Sequence, residues 1–460
     1  MDEPSCPGCR ELAKQVAELQ AQVAELTRKL EEALRAGKRQ AAPFRKGPPK
    51  PDPRKPGRKA GDAHGAHGHR PPPPPDSVAE CHEANLPDNC PHCQGPLVET
   101  EIVEQFQTDI PRRPVTRKFR IHVGHCSACG KRTQGRHALQ TSDALGAAAA
   151  QIGPDAQAAA AVLHTQHGLS HGKVANVFDA LFGIHLTRGA SAQINRRAAT
   201  RLEDDYQTIL DDLRQSERLA ADETGWRVGG HPAWLHVWVG ERSTAYAIDS
   251  QRSADALERA IGANWPGTLS HDGYATYDRF AEAVHQSCVA HVLRRAHGLL
   301  DGARRGAVRF PRQVIRLFTE AVHLRNEHRR GLVSLETLQD QRDLFDVRLL
   351  DLLSHPRRVA AHVTFVKHLW RHLEQWFTFL FNPRVEATNW LAEQAIRPAV
   401  VNRKVWGGNR TESGARAQGV LMSVLETVRR TSRSVVDYVS ESLRAIGNKM
   451  LTGPVLLPGR

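Results

Sequence analysis

Three carboxylates stand out by the company they keep. Asp222 lies in Leu219-Ala-Ala-Asp222-Glu-Thr-Gly-Trp226-Arg-Val228, an acid at the end of an apolar, strand-like run just before a turn glycine. Asp272 repeats the arrangement in Thr268-Leu-Ser-His-Asp272-Gly-Tyr274. Glu393 sits in Asn389-Trp-Leu-Ala-Glu393-Gln-Ala-Ile-Arg397-Pro398, a helical stretch that Pro398 is expected to end or kink. Two acids on strand ends and one on a helix offer hard oxygen ligands on rigid elements, the set that holds a pair of Mg2+ or Mn2+ ions for phosphoryl transfer. Each acid alone reads as an ordinary solvated carboxylate, so it is the three contexts together that point to a site. Glu386 competes with Glu393, which it precedes by one heptad and whose helix face it can share. Pro383 puts Glu386 near the helix start, whereas Glu393 lies deeper and has Arg397 one turn on to orient it, so Glu393 is preferred.

A second chemistry is written in cysteine. Six of the eight cysteines form three C-x-x-C pairs, which in a reducing compartment reads as metal binding before disulfides. Cys90-Pro-His-Cys93 and Cys126-Ser-Ala-Cys129-Gly130 are separated by 32 residues and bracket strand-like runs at 101–106 and 118–125, the grammar of a zinc ribbon. Four thiolates close a tetrahedral structural Zn2+ site and leave no open position for catalysis. Cys6-Pro-Gly-Cys9 has the same spacing without a second pair nearby; in a parallel dimer two copies would meet. Cys288-Val-Ala-His291 has the spacing of half a zinc site with no second half nearby, and is read as structural.

The elements around these residues follow from periodicity and composition. From Leu12 to Ala33 the apolar residues Leu12, Val16, Leu19, Val23, Leu26 and Leu30 alternate in steps of four and three, a heptad seam expected to pair two chains as a coiled coil over 1–36. Residues 37–80 read as a disordered, basic, proline-rich linker: from Arg35 to Arg70 there are eleven Lys or Arg against two acids. The zinc ribbon is expected over 81–140. Over 150–212 come helices at 155–167, 170–182 and 191–202, either a DNA-reading helix-turn-helix or plain packing units. Three strand-like runs (218–228, 233–240, 244–249), a helix at 254–261 and a strand ending in Asp272 give the order of an α/β, ribonuclease-H-like core, expected over 213–435 with an arginine-rich helical insertion at 288–381. Residues 436–460 read as a terminal helix and tail.

With 63 Lys and Arg against 50 Asp and Glu, the net charge of +13 implies an anionic partner, above all nucleic acid. No run approaches the roughly 20 apolar residues of a membrane span and no signal core opens the chain, so a cytoplasmic location is expected.

At this point the chain resembles the transposases of the insertion sequence 66 family over nearly its whole length. The resemblance rests on Asp222-Glu-Thr-Gly-Trp226, His271-Asp-Gly-Tyr274, Cys288-Val-Ala-His-Val-Leu-Arg294-Arg295, Ala392-Glu-Gln-Ala-Ile-Arg-Pro398 and Asn402-Arg-Lys-Val-Trp406, and on the order zipper, basic linker, zinc ribbon, helices, acidic-triad domain. It implies Asp222, Asp272 and Glu393 as a catalytic triad that cuts transposon ends and joins the 3'-OH to target DNA, with helper proteins from the same element as partners. Arg294, Arg295, Arg397, Arg403 and Lys404 are the expected DNA contacts; Trp406 either stacks on a base or belongs to the core. Two other readings stay open: a non-catalytic zinc-ribbon regulator derived from a transposase, and a ribonuclease-H-like nuclease without strand transfer.

Overall fold

The computed structural model describes residues 151–447 and 114–146, shorter stretches between 72 and 106, parts of 8–26, and residues 456–457. The chain divides into two units, Met1–Pro111 and Arg112–Arg460.

In the first unit the described part of the heptad stretch is helical, and Val16, Leu19, Val23 and Leu26 on its seam are exposed. Leu12, Leu30 and Ala33 of that seam, Cys6, Cys9 and Cys90 lie outside the described residues, as does nearly all of the basic linker. Residues 102–106, expected to be a strand, carry no regular structure. Nothing in this run alternates cleanly: Ile102, Val103 and Phe106 are all exposed, so no face is buried to fix a strand.

The second unit opens with a two-stranded hairpin, β1 (Val123–His125) and β2 (Arg132–Gln134), antiparallel with His125 opposite Arg132. Its turn is the second cysteine knuckle, closed by Gly130, whose N–H donates to the Cys126 carbonyl at 2.8 Å with φ 67°. Four helices follow: α1 (Pro154–Thr165), α2 (His171–Phe182), α3 (Arg188–Arg201) and α4 (Glu203–Arg214). Ser170 caps α2 as its sequence suggests, its hydroxyl accepting from Lys173 N–H. α3 starts three residues earlier than expected, because Thr187 caps it through Ala190 N–H and overrides the breaking tendency of Gly189.

The core is a mixed five-stranded sheet: β3 (Arg218–Val228), β4 (His231–Val239), β5 (Thr244–Asp249), then, after α5 (Asp255–Ile261), β6 (Thr268–His271) and β7 (Val284–Ser287). The order is β5-β4-β3-β6-β7; β3, β4 and β5 are antiparallel neighbours, and β3, β6 and β7 run parallel. Gly229 and Gly230 take the β3–β4 turn with φ of 58° and 85°, the pair of left-handed residues a two-residue hairpin needs. β7 is invisible to pattern reading, being four residues long and mostly polar.

Helices α6 (Val289–Asp301), α7 (Arg309–Arg329), α8 (Leu335–Ser354), α9 (Ala360–Arg371) and the short α10 (Thr378–Phe381) build a separate apolar cluster around Phe318, Leu349, Trp376 and Phe377. The chain then returns to the sheet as α11 (Trp390–Trp406), α12 (Glu412–Arg430) and α13 (Val435–Gly447). α11 runs through Pro398 instead of stopping there. The carbonyl left without a donor one turn back belongs to Gln394, which is exposed, so water can satisfy it. Alternation along β3 divides the sheet between two cores: Leu219 and Ala221 face the cluster with α4, α5 and α12, while Ala220, Trp226 and Val228 face the cluster with Ala392, Ile396 and Ala399 of α11. Asp222 shares the parity of Ala220 and therefore faces α11.

Candidate functional site

Asp222 lies mid-strand, not at the end of β3 as its sequence context suggested. What ends there is the pairing with β6, which runs Arg218↔Thr268, Leu219↔Leu269, Ala220↔Ser270 and stops. Two residues on along both strands come Asp222 and Asp272, and the next parallel strand delivers Cys288, whose N–H donates to the His271 carbonyl at 2.9 Å. Three chemically active residues thus leave the carboxyl ends of parallel ladders at one level, where open α/β sheets present their crevices. Asp272 is held by its turn, with Oδ1 accepting from Tyr274 N–H at 2.9 Å across Gly273, φ 85°.

Glu393 arrives on the first turn of α11, and a residue that sequence reading passed over sets where that turn sits. Asn389 is almost fully buried; its Nδ2 donates to the Ala221 carbonyl at 2.8 Å and its N–H to Cys288 Sγ at 3.2 Å. The helix start is thereby tied to the residue before Asp222 and to the residue after β7. Burial pushes the Asp222 carboxyl up to about 7, and the charges of Glu223, Asp272 and Glu393 push the same way against one backbone hydrogen bond. Glu223 itself points to the other face, held by Arg252 at 2.6 Å and by the Tyr277 hydroxyl at 2.6 Å. Asp222 therefore feels the negative charge of Asp272 and Glu393 on a partly desolvated carboxyl, and carboxylate oxygens are the donors that suit hard divalent cations.

The side chain beside Glu393 is His291, Nδ1 to Oε1 3.9 Å, and not Arg397, which is exposed on α11. Cys288, His291 and Glu393 bring one ligand atom each within 4.8 Å of one another. The half-site at Cys288-x-x-His291 thus has its complement about a hundred residues on; the C-x-x-H spacing was the available signal, and only the fold could supply the partner. Glu386 lies before α11, bound by Arg325 at 2.7 Å and Arg329 at 2.8 Å.

Of the expected DNA contacts, Arg294, Arg397 and Lys404 are exposed, the first on α6 and the others on α11. Arg403 donates to Thr224 Oγ1 at 3.0 Å and to the Gly225 carbonyl, clamping α11 to β3. Trp406 stacks on His164 and meets Trp226 edge-on, so it belongs to the core. The Arg295 guanidinium lies 5.0 Å over the Phe365 ring and lines a cavity of about 380 Å3 with Thr364, Lys367, His368 and Arg371. Burial, with His372, Arg295 and Arg371 adding, pulls His368 down to about 4, so it is neutral at physiological pH. This basic cavity adjoins the acidic cluster: a Cβ added to Gly273 would come within 3.5 Å of His368.

On the β1–β2 hairpin, hydrogen bonds from the backbone of Cys129 and Ala128 hold the Cys126 thiol below its usual value, as suits a thiolate ligand. Cys93 is exposed in the first unit and Cys129 in the second. Among the described residues no helix is long and apolar enough to cross a membrane.

A sequence model described as "Transposase IS66 family" matches residues 149–417. An uncharacterized protein, y4qI, of Sinorhizobium fredii is 24% identical over 299 residues, 57% of this chain and 54% of that protein, so the match spans about half the length of the curated relative.

Proposed function

Because the chain belongs to the IS66 transposase family, we propose that it is a DDE-type DNA transposase that cuts its element's ends and joins the freed 3'-OH to target DNA, with Asp222, Asp272 and Glu393 as its triad. The observation that carries this reading is the desolvated Asp222 carboxyl, pushed up to about 7 with Asp272 and Glu393 adding to the push. Clustered acids of this kind are unfavourable unless a cation or a shared proton relieves them. The strand order β5-β4-β3-β6-β7, antiparallel then parallel, supports a ribonuclease-H-like core.

The donor set fits Mg2+ or Mn2+, which Asp222, Asp272 and Glu393 would hold and which, when bound, supply charge neutralisation at phosphorus and a more acidic nucleophile. The remaining work falls to the protein. Asn389 fixes the start of α11, and so Glu393, against β3. Arg295, Lys367 and Arg371 offer cationic charge beside the acids, where phosphates flanking the scissile bond would lie; Arg294, Arg397 and Lys404 extend that surface. Arg403, in this reading, acts by holding α11 rather than by gripping DNA. Cys90, Cys93, Cys126 and Cys129 would hold a structural Zn2+, the exposed Val16, Leu19, Val23 and Leu26 seam would pair two chains or more, and helper proteins of the same element would serve as partners. The α1–α3 helices contribute Arg196, Arg197 and Arg201, exposed on α3, to DNA binding.

The deciding experiment is Asp222→Asn, which keeps shape and removes charge. In a metal-dependent assay on DNA bearing the element's ends, cleavage and joining should both disappear while DNA binding at fixed salt persists. Undiminished cleavage sinks the triad. A wild type that binds the ends but never nicks them favours the regulator reading, and nicking without joined product favours a nuclease.

A further inference from the structure

We propose that Cys288, His291 and Glu393 form a second metal site, selective for borderline transition cations of the Zn2+ class. Cys288 stands immediately before α6 and His291 three residues on, a spacing that turns both side chains to one face. Glu393 meets them from the first turn of α11, and the thiol, an imidazole nitrogen and a carboxylate oxygen all lie within 4.8 Å of one another. His291 Nδ1 is buried, has no hydrogen-bond partner among the described residues, and faces Glu393 Oε1 at 3.9 Å. A buried ring nitrogen is rarely left in that condition, and a cation between it and the carboxylate would satisfy both.

Ligand type sets the selectivity. Thiolate and imidazole favour Zn2+, Co2+ or Cd2+ and give Mg2+ little to hold, whereas the all-oxygen set of Asp222 and Asp272 has the opposite preference. Three protein donors leave a tetrahedral cation one open position for water. Binding releases the thiol proton to solvent, with no other bond made or broken.

Glu393 belongs to both sets, which gives the site a consequence: a zinc-class cation seated on Cys288 and His291 draws the carboxylate away from Asp222. Zinc should then inhibit Mg2+-supported cleavage. This consequence, unlike the site itself, rests on reading Glu393 as a catalytic ligand.

The site is tested on the full chain, stripped of metal and titrated with Co2+, reading thiolate-to-cobalt absorption and cobalt bound per chain. The C-x-x-C pairs take cobalt as well, so the readout is the difference between the wild type and variants that leave those pairs intact. Cys288→Ser, whose hydroxyl can still accept from Asn389 N–H, should lose one cobalt per chain and its share of the absorption. His291→Ala changes a partly exposed ring and leaves the buried thiol alone; it should weaken that same cobalt by about tenfold or more. Cobalt stoichiometry and spectrum unchanged in both variants overturn the site. In the cleavage assay at fixed Mg2+, each protein scored against its own uninhibited rate, the inhibiting zinc concentration should rise about tenfold or more in Cys288→Ser. An unshifted inhibition curve beside an intact cobalt difference leaves the site standing and removes Glu393 from the catalytic set, so the two claims fail separately.

Discussion

Glu386 and Glu393 are alike in sequence and opposite in environment. Burial works against the charge on Glu386, but hydrogen bonds from Arg325 and Arg329 outweigh it and hold the carboxyl below its usual value. Arg325 is itself buried and also donates to the Val385 carbonyl, so Glu386 is the counter-charge of a fixed guanidinium. Glu386→Gln should therefore lower stability, by about 2 kcal/mol, somewhat less than the loss of a partner from a fully buried pair, because Glu386 keeps contact with water. The sign follows from the depressed value: the glutamate's contribution is present above its ordinary 4.5 and is lost as pH falls through its lower folded-state value. Thermal melts at pH 7 and at acid pH should show the gap between variant and wild type closing. An undiminished Tm at pH 7 would sink the structural role. At this scale the sequence offers two reasons for preferring Glu393, its depth in the helix and Arg397 one turn on, and the fold bears on the second. Arg397 is exposed; the side chain beside Glu393 is His291, at 3.9 Å, and Asn389 ties the start of its helix to Ala221 and Cys288, residues that only the fold brings near.

Among the elements, legibility tracked the strength of the local signal. β3, β4 and β5 have alternating or continuous apolar runs and turn glycines, and their antiparallel pairing could be read directly. β7 offers four residues and no pattern, so the sequence shows the parallel half of the sheet only as far as the strand ending in Asp272. Helix α4 carries its own consequence. Its first turn places Asp205 against α13, where the Tyr438 hydroxyl donates to it at 2.9 Å. Burial, with Asp204 adding, pushes Asp205 up to about 6 against that hydrogen bond and Arg433. A carboxyl raised in the folded state binds more protons folded than unfolded, so its contribution to stability is full below its ordinary 3.8 and lost as pH rises through about 6. Asp205→Asn should thus be more stable than wild type at pH 7, with the advantage fading through that window and gone below its lower edge. Tm measured against pH checks it; an offset that stays constant across the window would show that Asp205 does not titrate as its surroundings dictate.

For the molecule as a whole, the charge of +13 was the first sign of a nucleic-acid partner, but net charge does not say where the strand runs. Composition pointed to the linker and to the arginines around Glu393, while the fold adds a concave basic patch that no motif marked. Lys367 and Arg371 lie one turn apart on α9 and face the cavity with Arg295 and His368, a histidine that burial, with the charge of Arg295 and Arg371 adding, keeps neutral. Positive charge that suppresses the protonation of its own neighbour is charge awaiting an anion, and the adjoining Asp272–Gly273 turn says where along a bound strand that anion would be. Each phosphate neutralised by a side chain releases counterions and contributes about 0.9 to the slope of log K against log salt. Lys367→Ala and Arg371→Ala should each flatten the slope by about that amount and weaken binding alike for end and non-end sequences, since phosphates carry no base identity. Asp222→Asn should leave the slope unchanged, because it touches no phosphate ligand. A slope unaltered in both cavity variants would place the strand elsewhere, on the exposed Arg397 and Lys404 of α11, while a loss confined to the element's own ends would make the cavity a reader of sequence and not of charge.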